Sequence, residues 1–329
     1  MTGAARRGAS IFCLPLGRRL SAPTENPSLP HTAAKACAAA LRAYYRHVPL
    51  RVGKQAVWNR LVYRLLRSGA ELHADTCFGA RMQVRFPDTI QSYVYFFGVW
   101  EPAITAYLMG ALSTGDTVID VGANVGYDSL LAAHCVGPAG RVFAIEASPS
   151  VFRTLQQNLA LNAAIQVTAV NAAACAEPGP VPIWLHAPDN VGGSTIVPSV
   201  AQRRRAALEA TVPGRPLADL VPEPAICGAR LIKIDVEGAE YAVVRGIRPL
   251  LPSLSPRTEL LIEVSAEALY DHGCSAADFL AIFREAGFRP FAIDNRYSVD
   301  MYLAPAELRL TPVDGADFDQ LDILFRRTA

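Results

Sequence analysis

The sequence predicts an α/β fold: a mostly parallel sheet with helices on both faces. Three observations carry that expectation. Seven short apolar runs alternate with helical patterns over the C-terminal part of the chain, which is the signature of a sheet wound with helices. One of these runs passes into a helix through a glycine-bracketed corner, "VIDVGANVGYDSLLAAHCV" at 118–136. Two others end on charged residues, "LIKIDVEGAE" and "ELLIEVS"; in such sheets ligands bind beyond the carboxyl ends of the strands.

Residues 1–24 hold Arg6, Arg7, Arg18 and Arg19 and no acid, around the apolar piece "SIFCLPL". Pro15 interrupts that piece, which is too short for a secretory signal, so residues 1–32 are expected to be a disordered tail. From residue 33 the chain reads as helical through "AAKACAAALRAYYRHV" and "QAVWNRLVYRLL". Basic residues on the polar faces suit a helix laid across a neighbouring domain better than one on a membrane. "LHADTCFGARMQVRF" reads as a β-hairpin about Gly79. The extension of helices and hairpin is placed at 33–100, ahead of a main domain at 101–329. That domain opens with Glu101 and with Pro102 in the first turn of a helix.

The strand-like runs are "TVIDV" (117–121), "VFAIEA" (142–147), "QVTAVNAA" (166–173), "LIKIDV" (231–236), "ELLIEVS" (259–265), "RPFAID" (289–294) and "DILFRR" (322–327). Between the second and third, "PSVFRTLQQNLALN" predicts a helix capped by Ser148, with Pro149 in its first turn and Phe152, Leu155 and Leu159 on one face.

Composition removes several classes. A net charge of +1 gives no electrostatic footprint for nucleic acid. Seven scattered cysteines without a C-x-x-C pair argue against a disulfide framework or zinc site and fit a reducing, cytoplasmic setting. No apolar run approaches the length of a transmembrane helix, and no histidine cluster suggests a transition metal.

The corner departs from the G-x-G-x-x-G of dinucleotide sites, reading Asp120-x-Gly122-Ala123-Asn124-x-Gly126. A carboxylate on Asp120 repels a pyrophosphate and attracts an ammonium group, such as the amino-acid end of S-adenosylmethionine. Glu146 ends the next strand, where an acid accepts both ribose hydroxyls. By strand alternation Lys233, Asp235 and Glu237 share one face, opposite Ile232, Ile234 and Val236. Such a trio needs a chemical purpose or ion-pair partners, for which Arg245 and Arg248 are the candidates. Glu263 ends the adjacent run.

"FFGVWEP", "GDTVIDVGANVGYDSLLAA", "GRVFAIEASPSVFRTLQQNLALN", "VNAAAC" and above all "LIKIDVEGAE" together resemble the FkbM family of S-adenosylmethionine-dependent methyltransferases. The resemblance runs from about Gly98 to Phe288. It implies a class I methyltransferase (Rossmann-like) fold with a seven-stranded sheet, and methylation of a hydroxyl oxygen in a small molecule or sugar. Ala147 stands where that family pattern leads one to expect proline. On this reading Asp120, Gly122, Ala123, Asn124 and Gly126 line the methionine end of the cofactor. Glu101 covers its amine, Glu146 and Ala147 hold the ribose side, and Asn171 and Ala172 flank the adenine. Asp235 is the first candidate base, with Glu237 and Glu263 behind it and Lys233 as modulator. The segment 187–199 is a candidate lid. Rival readings are a nucleotide-binding module without methyl transfer and an NAD-dependent oxidoreductase. Mg²⁺ remains an open cofactor on the carboxylates, with no metal ligand assigned.

Overall fold

The computed structural model describes residues 31–48, 53–62, 65, 69–86, 88–186, 193–295, 297–303 and 308–327. The tail expected at 1–32 lies almost wholly outside them, as do 187–192 of the candidate lid.

The main sheet orders its strands β12-β11-β13-β10-β9-β3-β4-β5. β3 (Thr117–Val121), β4 (Arg141–Glu146), β5 (Val167–Asn171), β9 (Leu231–Ile234) and β10 (Glu259–Ser265) run parallel. β13 (Gln320–Arg326) inserts antiparallel between β10 and β11 (Arg289–Ile293). This is the mostly parallel, Rossmann-like sheet that the sequence predicts, and its seven runs supply seven of the eight strands. The eighth, β12 (Leu310–Pro312), is a short edge strand. It escapes a sequence reading because its proline is tolerated only at an edge.

Period-two alternation divides the core into two layers. Val118, Val142, Ala144, Leu231 and Leu261 face one cluster, with Leu130, Leu131 and Val136 from the helix Tyr127–Val136 and Leu155 from the helix Pro149–Leu161. Ile119, Val121, Phe143, Ile145, Ile232, Ile234 and Ile262 face the other, against the helices Glu240–Ile247 and Ala276–Glu285. Ser148 caps the helix Pro149–Leu161 by accepting from the Val151 N–H, as its sequence predicts.

The run at 166–173 divides. Asn171 closes β5, whereas β6 (Ala173–Ala174) joins β7 (Gly179–Leu185) and β8 (Ala207–Arg215) in a separate three-stranded sheet. The expected hairpin is β1 (Glu71–Asp75) and β2 (Arg81–Arg85), turning through Gly79. Its open edge is held by side chains of the helix Pro149–Leu161 and of its C-cap Asn162. The Gln83 N–H donates to Asn158 Oδ1 at 2.7 Å, and the Arg81 N–H to Asn162 Oδ1 at 2.8 Å. Asn158 also donates to the Val125 carbonyl at 2.8 Å, so one buried amide ties the hairpin to the glycine corner.

The basic helix His31–His47 packs across the helix Thr89–Phe97. Arg46 donates to the Phe96 and Asp75 carbonyls, and the buried Lys54 ammonium donates to the Tyr45 and Val48 carbonyls that end the helix. Arg46 thus meets a carbonyl at the end of one helix and Lys54 the carbonyls at the end of another. Among the described residues no helix is long and apolar enough to cross a membrane. Cys37, Cys77, Cys135, Cys175, Cys227 and Cys274 are free thiols.

Candidate active site

β3 lies between β4 on one side and β9 on the other, so the winding reverses there and the carboxyl ends of β3 and β9 open a crevice. The glycine corner forms one wall. Gly122 has φ +88°, and a Cβ on it would stand 1.7 Å from the Asp235 carbonyl oxygen. Its first duty is therefore to let the chain leaving β9 pass against the corner, a duty that spacing alone does not reveal. Gly126, at φ +93°, begins the helix Tyr127–Val136, and a Cβ there would meet the Leu155 side chain at 2.6 Å. Asn124 also sits at positive φ, +49°. That conformation turns its N–H onto Glu146 Oε2 at 2.9 Å. Ala123 is buried between these residues.

Two carboxylates sit behind the corner. Asp120 is 2% exposed; its Oδ2 accepts from Ser129 Oγ at 2.6 Å, while its buried Oδ1 has no hydrogen-bond partner. Burial pushes this acid up to about 6, opposed by the positive charge of Lys233. Glu146 is also buried, and its oxygens accept from the Asn124 and Ser148 N–H groups at 2.9 and 2.8 Å. Burial raises it to about 7 against those two bonds. The Asn171 amide donates to the Glu146 and Ala147 carbonyls at 2.8 and 3.0 Å, fixing the end of β4. Ala172 follows, buried. The structure thus gathers the predicted set from Asp120 to Ala172 at one crevice.

The charged trio is rearranged by the backbone. β9 ends at Ile234, and Glu237 takes φ +52°, so alternation does not continue to it. Lys233 is buried and bonds Asp128 Oδ2 at 3.1 Å and Asp235 Oδ2 at 2.9 Å. Glu237 turns instead to Arg204 at 2.8 Å. The sequence neighbours Arg245 and Arg248 pair elsewhere, with Glu177 and Glu285. Asp128 was therefore the missing partner; it lies one residue into the helix after the corner, where no strand pattern points to it. The Asp235 side chain keeps 28% exposure and faces the opening.

Glu240, the last acid of "LIKIDVEGAE", is a second residue that sequence reasoning left without a role. Its Oε1 accepts from the Val236 and Gly238 N–H groups, both at 3.0 Å, holding the tight turn. Burial lifts it to about 7. Asp235, Glu240 and Glu263 each bring one oxygen within 4.8 Å of the others. Burial and the charges of Asp235 and Glu237 hold Glu263 well above the usual carboxylate range. Gln320 donates to it at 2.6 Å.

Glu101 forms the far wall. It precedes the helix Pro102–Ala111 at φ +44°, is 3% exposed, and gives that helix no side-chain cap. Its Oε1 accepts from Tyr297 at 2.7 Å and from the Asn295 amide at 3.0 Å, which also donates to Asp322 at 3.0 Å. Its buried Oε2 has no partner. Burial and the charge of Asp322 push Glu101 well above its ordinary range. Asn295, Tyr297 and Asp322 reach the site from the distal end of the sheet, close in space and nearly two hundred residues or more away in sequence.

The model of the methyltransferase FkbM domain matches residues 120–290 of this chain. The chain belongs to that family. Methyltransferase sdnD of Sordaria araneosa is 29% identical over 167 residues, covering 43% of this chain and 64% of that protein. An arsenite methyltransferase of Halobacterium salinarum is 39% identical over 57 residues, 17% of this chain and 15% of its own length. The chain thus spans less than two thirds of either relative. Among solved structures, methyltransferase FkbM of Methylobacillus flagellatus aligns at 15% identity and a TM-score of 0.39, over 89% of this chain and 58% of that one. An S-adenosylmethionine-dependent O-methyltransferase of Thermotoga maritima aligns at 15% identity and 0.38, over 79% and 78%.

Proposed function

We propose that the chain is an S-adenosylmethionine-dependent methyltransferase that methylates a hydroxyl oxygen of a small molecule or sugar. One observation carries the reading: the crevice holds two buried carboxylates, Asp120 and Glu101, each with an oxygen that no protein donor satisfies. A buried acceptor left open costs about 1–3 kcal/mol, which a ligand ammonium repays. Family membership and the carboxylate of Glu146 beside the corner support the same cofactor.

Asp120 and Glu101 fit the cofactor's amino group, Glu146 its ribose, and Asn171 with Ala172 the adenine side. When bound, S-adenosylmethionine supplies an electrophilic methyl group on a sulfonium centre. The chain's tasks are alignment, exclusion of water and removal of the acceptor's proton. Asp235 suits the last task, because it is partly exposed and Lys233 pins one of its oxygens. Glu263 stands behind it, whereas Glu237 is held by Arg204.

Incubation with labelled S-adenosylmethionine and a panel of hydroxyl compounds tests the reading by mass. Asp235→Asn should slow saturated turnover by roughly a hundredfold, the scale of lost general-base assistance. Normal single-turnover transfer by that variant would remove Asp235 from the role. Loss of activity on chelation, restored by Mg²⁺, would assign the carboxylates to a metal instead. Calorimetric binding of NAD but not of S-adenosylhomocysteine would overturn the methyltransferase reading itself.

A further inference from the structure

At the opposite end of the sheet, where β9 and β10 begin and β13 ends, a cavity of about 230 Å³ is lined by Arg230, Arg257, Arg326, Arg327 and Glu259. Guanidinium groups gathered in one small cavity repel one another unless anions sit among them. The acids within reach are few. Glu259 bonds Arg230 at 2.6 Å and also accepts from the Tyr107 hydroxyl. Asp116 stands 3.8 Å from Arg257. Among the described residues, four guanidinium charges thus face two carboxylates, a surplus of two positive charges.

The forks are also held in place. Arg326 lies opposite Glu259 in the β10–β13 ladder and rests its guanidinium on the Phe291 ring at 4.5 Å. Arg327 lies over Phe288 at 4.4 Å and donates to the Leu251, Leu254 and Ser255 carbonyls. Arg230 donates to the Arg257 carbonyl at 3.0 Å. A planar fork held as Arg326 is matches the oxygens of a phosphate group bidentately, whereas Arg327, with both terminal nitrogens taken by carbonyls, contributes its charge. The Arg257 side chain remains 71% exposed at the mouth, with Asp116 at 3.8 Å as its acid neighbour.

We propose that this cavity binds the phosphate group of a small phosphorylated ligand, as a site separate from the methyl-transfer crevice. A phosphate dianion matches the charge surplus. The volume admits a phosphate with little more than its first ester substituent, being below the range of drug-sized pockets.

Calorimetry on the full chain tests this with inorganic phosphate, glucose 6-phosphate and glucose, against sodium chloride at matched ionic strength. Saturable binding of phosphate or of the sugar phosphate, with none for glucose, is the expected result. Tighter binding of the sugar phosphate assigns the site to an ester, and equal binding to free phosphate. Arg326→Gln and the exposed Arg257→Gln should each weaken binding about tenfold or more, the scale of one charge-assisted bond. Arg257→Gln removes only a surface side chain, so its result stands even where Arg326→Gln perturbs the sheet. No binding beyond the chloride control, or binding that both variants leave unchanged, overturns the proposal.

Discussion

Replacing Gly122 by alanine should destabilise the fold far more than a single methyl group suggests. The new Cβ would stand 1.7 Å from the Asp235 carbonyl oxygen, where ordinary contact begins at 3.4 Å. The Asp235 backbone would have to retreat by about 1.7 Å to restore that contact. It is tied to β3 by the Asp235 N–H donating to the Val121 carbonyl at 2.9 Å, a bond worth about 1 kcal/mol. Holding alanine at a left-handed φ adds about 1–2 kcal/mol. Displacing Asp235 also pulls on the buried Lys233, whose bond to it measures 2.9 Å. The backbone contributions alone come to about 2–3 kcal/mol, near the top of the usual range for single substitutions. Gly110 supplies the internal control. It lies inside the helix Pro102–Ala111 with open space where its Cβ would be. Gly110→Ala should therefore stabilise by about 0.5–1 kcal/mol. Urea unfolding followed by circular dichroism measures both through the midpoint at constant slope. A Gly122→Ala variant within 1 kcal/mol of the parent would refute the argument that the corner is built around the Asp235 backbone.

Other consequences are open to measurement. Glu146→Gln should raise the Kd for S-adenosylhomocysteine by roughly ten- to a hundredfold, since a hydrogen bond to a charged group is worth about 1.5–3 kcal/mol; unchanged calorimetric affinity removes Glu146 from the ribose role. Burial lifts Glu146 and Glu240 from 4.5 to about 7, and Asp120 and Asp322 from 3.8 to about 6. Between their unfolded and folded values the folded chain holds protons that the unfolded chain has released, so stability must fall as pH rises through that window. The urea midpoint of the ligand-free protein should be lower at about pH 7.5 than at about pH 5.5, with a shallower fall in Glu146→Gln; a rising midpoint contradicts the burial of these acids. Asn158→Ala strands the Gln83 N–H and the Val125 carbonyl together, and should cost about 2–4 kcal/mol in the same unfolding assay.

The alternation of apolar runs was enough to place the strands, because residues facing a buried sheet on both sides must be apolar and helices between them must show a different period. The corner was legible for a related reason: glycines at Gly122 and Gly126 mark backbone conformations that other residues resist. The spacing did not reveal that Gly122 also makes room for the Asp235 carbonyl, on a segment more than a hundred residues away. The trio at Lys233, Asp235 and Glu237 could be recognised as needing partners, since buried charge is costly. Which partners it found depended on contacts between distant segments. Asp128 arrives from the helix after β3, and Arg204 from the helix Pro198–Arg204. Alternation assigned Glu237 to the same face as Asp235 because it assumes an unbroken strand; a left-handed residue beyond Ile234 breaks that assumption. Of the site's far wall only Glu101 was legible; its partners were hidden, because β13 inserts antiparallel beside β10 and carries Asp322 to the crevice, with Asn295 bridging it to Glu101. Sequence by itself determined the elements and the residue types that chemistry requires, since both are local consequences of backbone geometry and solvation. Tertiary structure alone decided which carboxylates are left with an open oxygen, since that depends on what every neighbouring segment donates.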